Sequence, residues 1–372
     1  MKTVYKPLIL SILTAVLMGM GGCDTAGTEP KTAEPDRRNA ITIMTWNVQA
    51  LFDGVEAGNE YDEYLNSAGW SAEKYSGRLN VIAQAVEKIE GGAPDILALE
   101  ELESARVLED LAGGLSRFHY TASYFTGNPG YSLGVGILSR FPFISVKSHS
   151  LTINGETTPR PVLEVRLAVN DAPLALFVCH WKSKLGGDDA TEALRRSSAR
   201  IILRRLREIR KEDPNIPAII MGDFNENYDE FYRRNAGAIC ALLPDDPRAV
   251  SLTGFSGSAG ETALQTDFII LSKSKPPAVR YFPPETISVY DPWAEELQNG
   301  SYYYQNKWET IDHFLLSGPL FDGAEWDFDS ARVLNESPFT NAKGSPAAYN
   351  PRTGSGLSDH LPLLLTLKMI GP

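Results

Sequence analysis

Cysteine is scarce in this sequence: there are three among 372 residues, with no CxxC pair and no Cys/His cluster. Neither a disulfide-stapled scaffold nor a thiolate zinc centre is therefore expected to hold the chain together. Cys179 lies inside the apolar run LALFVCHW, where a buried free thiol is the commoner state, and a pairing with Cys240 stays open. Positive charge is also in deficit, with 35 Lys and Arg against 47 Asp and Glu and a formal net charge of -12. That balance argues against broad charge-driven adhesion to nucleic acid or anionic lipid, but leaves room for a nucleic acid substrate held locally. The apolar run near the N-terminus, PLILSILTAVLMGM, is short for a bilayer span. No internal repeat and no second linker interrupt the rest, which favours one large domain.

What is present begins with that N-terminal run. Lys2 and Lys6 precede it and Gly21-Gly22-Cys23 follows it, a pattern that reads as an export signal. It resembles a bacterial lipoprotein cleavage site, which implies a signal peptide over residues 1–22 and an acylated Cys23. An ordinary signal peptide, or a plain first helix with an incidental Cys, is the alternative. Residues 23–40 hold two prolines and no apolar periodicity, and read as a flexible tether. A lipid anchor on a tether implies an exported protein at the bacterial cell envelope, facing the periplasm or the surface. The membrane would be engaged through the lipid only, with no obligate protein partner.

Residues 41–370 form the expected folded domain. Short apolar runs predict strands at 41–48, 95–102, 133–139, 162–169, 174–181, 217–224, 311–317 and 360–369. Several are apolar on both faces, as strands buried between layers are. EKYSGRLNVIAQAVEKIEGG has helical spacing and stops at Gly91-Gly92; DDATEALRRSSARIILRRLREIRKEDP starts acidic, ends basic and stops at Pro214. The mixture predicts an α/β sandwich, with the less regular residues 240–305 as loops or an insertion.

The polar residues cluster where these strands end. IIMGDFNENYDE leaves a buried run and at once places Asp223 and Asn225 two residues apart, and Asn47, Glu100-Glu101, His180 and Asp359-His360 stand in the same way beside other strands. Each alone is what any turn or cap carries. Repeated across a sheet, they suggest one constellation.

The segments TWNV, DILALEE, GILSRFP, GDFN, IDHFLLS and LSDHLPL resemble, in content and order, the endonuclease/exonuclease/phosphatase family of deoxyribonuclease I-like metal-dependent phosphoesterases, over roughly residues 41 to 369. The wording is nearest to secreted or surface bacterial members. The resemblance implies a four-layered α/β sandwich with two packed mixed β-sheets flanked by helices. It assigns Glu101, Asn47 and Asp359 to a divalent metal, for which hard oxygen ligands suit Mg²⁺ or Mn²⁺. It makes His360 a phosphate contact oriented by Asp312, Asp223 the group that orients or deprotonates the attacking water, and Asn225 a donor to phosphate. His180 would assist at the phosphate or the leaving group. Arg160 would contact phosphate, and Lys182 and Lys184 would hold substrate or else belong to a solvated loop.

Two departures from the family pattern concern acidity. Glu100 stands where Gln is common, so either the site is more acidic or Glu100 points away, as strand alternation dictates. Gln49 stands where some repair-type members carry an Asp. His313 reads as structural, because adjacent strand residues face opposite sides. The expected reaction is phosphodiester hydrolysis, with nucleic acid as the expected substrate. A sphingomyelinase-type phospholipase C, a phosphomonoesterase, and a non-catalytic surface binding protein on the same scaffold are the alternatives. Tyr302, Tyr303, Tyr304 and Trp308 either stack bases or fill the core.

Overall fold

The computed structural model describes residues 38–150, 152–153, 156–158, 160–255 and 266–371. The expected signal peptide, Cys23 and the tether up to residue 37 lie outside the described residues. Arg38 is already tied down, through hydrogen bonds to Asn170 and Asp95. Strands are numbered in chain order. One sheet runs, edge to edge, β17 (Glu325–Val333), β18 (Leu363–Ile370), β1 (Ala40–Leu51), β2 (Ile96–Leu102), β4 (Gly134–Ser139) and β3 (Ala122–Thr126). The other runs β11 (Leu242–Pro244), β12 (Ile269–Ser272), β13 (Ser288–Tyr290), β16 (Asp312–Leu316), β10 (Ala218–Asp223), β9 (Ala172–His180), β8 (Val162–Val169) and β5 (Phe143–His149). Two ribbons, β6 (Thr152–Ile153) with β7 (Glu156–Thr157) and β14 (Tyr302–Tyr304) with β15 (Lys307–Glu309), stand apart from the sheets.

Both sheets are mixed: β1 and β2 are parallel, as are β9 and β10, while β1 and β18, and β10 and β16, are antiparallel. Side-chain alternation explains the layering. Ile41 and Ile43 of β1 and Ile96 and Ala98 of β2 meet Leu176 and Val178 of β9, Ile219 and Met221 of β10 and Phe314 of β16 in one apolar filling. The alternate residues of the first sheet, Trp46, Val48, Leu97 and Leu99, pack instead against helices α1 (Ala72–Glu87) and α2 (Ala105–Gly114). Phe177, Cys179 and Ile220 of the second sheet cover α3 (Asp188–Glu212). Helix, sheet, sheet, helix is the four-layered order the sequence implied.

The eight expected strands are all present, and both expected helices are α1 and α3. The expectation of loops at 240–305 is incomplete. β11, β12, β13 and β14 lie there, and three of them extend the second sheet. Strands this short carry too few residues to show a period of two. Cys179 and Cys240 are both buried and free.

Candidate active site

The same alternation that fills the sandwich also builds its polar end. Counting along β1, Ile41 and Ile43 face the second sheet, so Thr45 and Asn47 do too. On β10 the face of Ile219 and Met221 continues to Asp223; on β9 that of Leu176 and Val178 continues to His180; on β16 that of Phe314 ends at Asp312. The pairing register puts Asp223 opposite His180 on one side and Asp312 on the other. Asp359 and His360 arrive just ahead of β18, beside β1. At this end the apolar filling gives way to a cleft of about 740 Å³ lined by Glu101, Asp223, Asp359, His180, His360 and Arg160, among others.

Gly222 makes this approach possible. Its φ is +129°, and a Cβ there would lie 1.9 Å from the Cys179 carbonyl oxygen. Only glycine lets β10 run this close to β9, which explains the glycine of GDFN. The chain then turns through Asn225 at φ 51°. The Asn225 backbone N–H donates to Asp223 Oδ1 at 2.8 Å, and its side chain donates to the Trp181 carbonyl at 3.2 Å.

A second strained stretch aims Glu101. Gln49, Ala50 and Glu101 all have positive φ, and the β1–β2 register shifts at this point. The distortion turns Glu101 into the cleft, while Glu100, obeying alternation, is fully buried and accepts from the Thr45 hydroxyl at 2.8 Å. Ala50 N–H donates to Glu101 Oε2 at 2.6 Å. Asn47 donates to Glu101 Oε1 at 3.3 Å and to Asp223 Oδ2 at 3.0 Å, and its own oxygen accepts from Gln49 N–H at 2.9 Å. Asn47 is thus a buried link between two carboxylates. Behind the bulge stands Arg78 of α1, 2% exposed, which donates to the carbonyls of Val48, Gln49 and Ala50 and lies 3.9 Å from the Tyr349 ring centroid. Sequence reasoning did not pick out Arg78.

The two histidines differ in their surroundings. His360 Nδ1 is 2.9 Å from Asp312 Oδ2, and the same oxygen accepts from Ser301 Oγ at 2.5 Å. Burial works against charge on His360, but Asp312, Asp223 and Asp359 hold its pKa well above the ordinary histidine range. His180 has its Nε2 3.5 Å from Asp223 Oδ2 and 3.7 Å from Glu101 Oε1, yet its Nδ1 has no partner among the described residues. Burial, with Arg160, His360 and Lys182 nearby, pushes its pKa well down. The surroundings thus push one imidazole toward its charged form and the other toward its neutral form.

Asp223 is pushed up to about 7 by burial and by Asp312, against His360 and its hydrogen bonds from Asn225 and Asn47. Burial also raises Asp359. Carboxylates crowded in this way, with oxygens open to a cleft, fit a divalent cation that offsets their charge. Among the described residues, Asp223, Asp312 and His360 each offer a possible ligand atom within 4.8 Å of the others. Within that group His360 Nδ1 and Ser301 Oγ both meet Asp312 Oδ2, while Glu101 and Asp359 also line the cleft.

The remaining expected residues are divided. Arg160 lines the cleft together with Tyr61. Lys184 also lines it, with its amine 2.6 Å from Glu230. Lys182 stays along its own loop, near Ser183 Oγ and the Leu185 carbonyl. His313 is fully buried on the outer face, between Asp291 at 2.7 Å and the Glu226 carbonyl at 2.8 Å, and has no place in the cleft.

Two packed mixed sheets with a carboxylate and histidine cluster at one end define a deoxyribonuclease I-like hydrolase scaffold. A sequence model of the Endonuclease/Exonuclease/phosphatase family matches residues 42–236, more than half of the chain, and the protein belongs to that family. No curated protein matches the chain. Among solved structures, truncated TDP2 from Caenorhabditis elegans is 14% identical, with 88% of this chain and 98% of that chain covered at a TM-score of 0.50. A humanized D. rerio TDP2 is 16% identical over 89% of this chain and 100% of that chain, at a TM-score of 0.51. D. rerio TDP2 complexed with a single-strand DNA product is 17% identical, with the same coverage and a TM-score of 0.50. At these identities the likeness is one of fold.

Proposed function

We propose that the protein is a divalent-metal-dependent phosphodiesterase, a nuclease exported to the cell envelope and anchored there through Cys23. The observation that carries the reading is the convergence of Glu101, Asp223 and Asp359 with the His360–Asp312 pair and His180 in one cleft. Family membership supports phosphoester hydrolysis, and the single-strand DNA bound by D. rerio TDP2 supports nucleic acid as substrate.

Glu101 and Asp359 would hold Mg²⁺ or Mn²⁺, which supplies charge compensation at the phosphate oxygens. Asp223, titrating near neutrality, is suited to take a proton from the attacking water while Asn225 braces its other oxygen. His360, kept protonated, donates toward a phosphate oxygen, and Asp312 fixes its ring. Neutral His180 adds a second polar contact, and Arg160 and Lys184 flank the phosphate from the rim. The test is hydrolysis of bis(p-nitrophenyl) phosphate and of DNA, RNA, sphingomyelin and phosphoinositides, with Mn²⁺ and with EDTA. Metal-dependent cleavage of diesters, fastest on nucleic acid, is expected; metal-independent or lipid-selective activity overturns the reading. For the anchor, Cys23→Ala should move the protein from the membrane fraction to the soluble one.

A further inference from the structure

The β14–β15 ribbon sorts its side chains by face. Its register pairs Tyr302 with Glu309, Tyr303 with Trp308 and Tyr304 with Lys307. The middle pair serves the body of the protein: Trp308 packs against the core under the first sheet, and Tyr303 meets it with ring centroids 5.1 Å apart. The outer pairs share the opposite face. All four of their side chains line the cleft, with Gln305 at the turn. The choice between base stacking and core filling is therefore made differently for different residues of the same ribbon.

On the cleft side the tyrosines form a shelf. Tyr302 lies 4.6 Å from the His360 ring, and Tyr304 lies beyond it, 15° from parallel with centroids 6.2 Å apart. Tyr304 is 53% exposed, and Lys307 stands beside it across the ribbon. Leu185, 84% exposed beside Gly186-Gly187, adds an apolar side chain to the lining of the same cleft. An exposed ring and an exposed Leu facing one cleft offer a slot for a flat apolar group. A cation next to the ring offers a place for a negative one.

We propose that this face is a subsite for an unpaired nucleotide adjoining the scissile phosphate: its base stacks on Tyr304, and the next phosphate meets Lys307. The inference rests on the phosphodiesterase reading and narrows the substrate to single-stranded polynucleotide, because a base paired and stacked in a duplex has no free face to lay on the ring. A lipid headgroup fits less well, since the shelf faces into the cleft and ends in Gln305 and Lys307 rather than in an apolar tip.

The experiment compares full-length wild type, Tyr304→Ala and Lys307→Ala, leaving Tyr302 untouched because it contacts His360. Each is assayed on a single-stranded oligonucleotide, on its duplex, and on methyl p-nitrophenyl phosphate, which carries no base. Binding of a fluorescein-labelled oligo(dT) is followed by anisotropy in EDTA. Tyr304→Ala should lose about 10- to 100-fold in kcat/KM and in affinity on the single strand, and nothing on the small diester. Lys307→Ala should lower the salt dependence of log K by about 0.7 per decade. Equal losses on both substrates, no loss on the oligonucleotide, or faster cleavage of duplex overturns the subsite. Wild type that binds oligo(dT) through Tyr304 but hydrolyses nothing keeps the subsite and removes the phosphodiesterase reading.

Discussion

Replacing Arg78 with Met should weaken both the fold and the proposed metal site. The guanidinium fork donates to three successive carbonyls of a strand bulge and to the Tyr64 hydroxyl, with no carboxylate partner among the described residues. Those carbonyls belong to the stretch whose N–H groups hold Asn47 and Glu101. Charged hydrogen bonds contribute about 1.5–3 kcal/mol each, but a shared donor is not additive, and stranding the carbonyls brings the expected loss to about 3–5 kcal/mol. Freed of the clamp, Gln49 and Ala50 can leave their left-handed conformation, and Glu101 loses its backbone donor. Loss of such a support behind a ligand typically lowers metal affinity about 10- to 100-fold. Arg78→Lys keeps the charge but has no planar fork, so it should retain stability better than the bulge geometry. Urea unfolding without metal gives the first quantity, and Mn²⁺ titration followed by EPR gives the second. A folded Arg78→Met protein that binds Mn²⁺ as tightly as wild type would refute the argument.

Four further outcomes are expected. Asp223→Asn combined with His360→Ala should cost far less in log kcat than the two single changes added together, because both act on one transition state; strict additivity in single-turnover assays would separate them. Ser301→Ala removes one of two hydrogen bonds to Asp312 Oδ2 and should lower kcat by about 10-fold with little change in KM, a milder defect than Asp312→Asn. Gly222→Ala must push β9 from β10 by a backbone contact and should destabilise by more than about 3 kcal/mol, read by urea midpoint. Glu164 is held down to about 2 against burial by hydrogen bonds from His149 and Arg205, below the ordinary 4.5. A lowered folded pKa means its stabilisation is present above about 4.5 and is lost as pH falls toward 2; up to about 3 kcal/mol should disappear in that window, and Glu164→Gln should flatten the slope of stability against pH there.

Much of the scaffold was readable because the buried strands are long enough to show their apolar runs, and because those runs end abruptly in the residues that face the cleft. Strand alternation correctly separated His313 from Asp312, but it did not aim Glu101, whose positive φ breaks the alternation while Glu100 stays buried on the inner face beside Thr45. The residues that were missed act at a distance in sequence. Ser301 supports Asp312 from a stretch without periodicity, and nothing near it marks the role. Arg78 left a signal: it falls in the buried stripe Tyr75, Arg78, Ile82, Ala85-Val86 of α1, where a charge needs a reason. For Lys182 the loop alternative fits the contacts, since its amine stays near Ser183 Oγ and the Leu185 carbonyl. The strands of β11 to β15 are three or four residues long and depend on neighbours that the local sequence does not name.

In the proposed reaction the reacting groups come from both sheets. Asn47 and Glu101 ride on the first sheet, with Asp359 and His360 at its margin, while His180, Asp223 and Asp312 ride on the second. The 3.0 Å bond from Asn47 to Asp223 and the 2.9 Å approach of His360 to Asp312 both cross the seam. The separation of the layers, set by Ile43, Val178, Met221 and Phe314 well away from any phosphate, is therefore itself a kinetic parameter. A displacement of about 1 Å at reacting atoms can cost about a hundredfold in rate. Trimming a methyl group from this filling should accordingly slow turnover out of proportion to its effect on melting. Buried aliphatic positions would then serve adaptation as a fine adjustment of rate, tunable without altering any residue that meets the substrate.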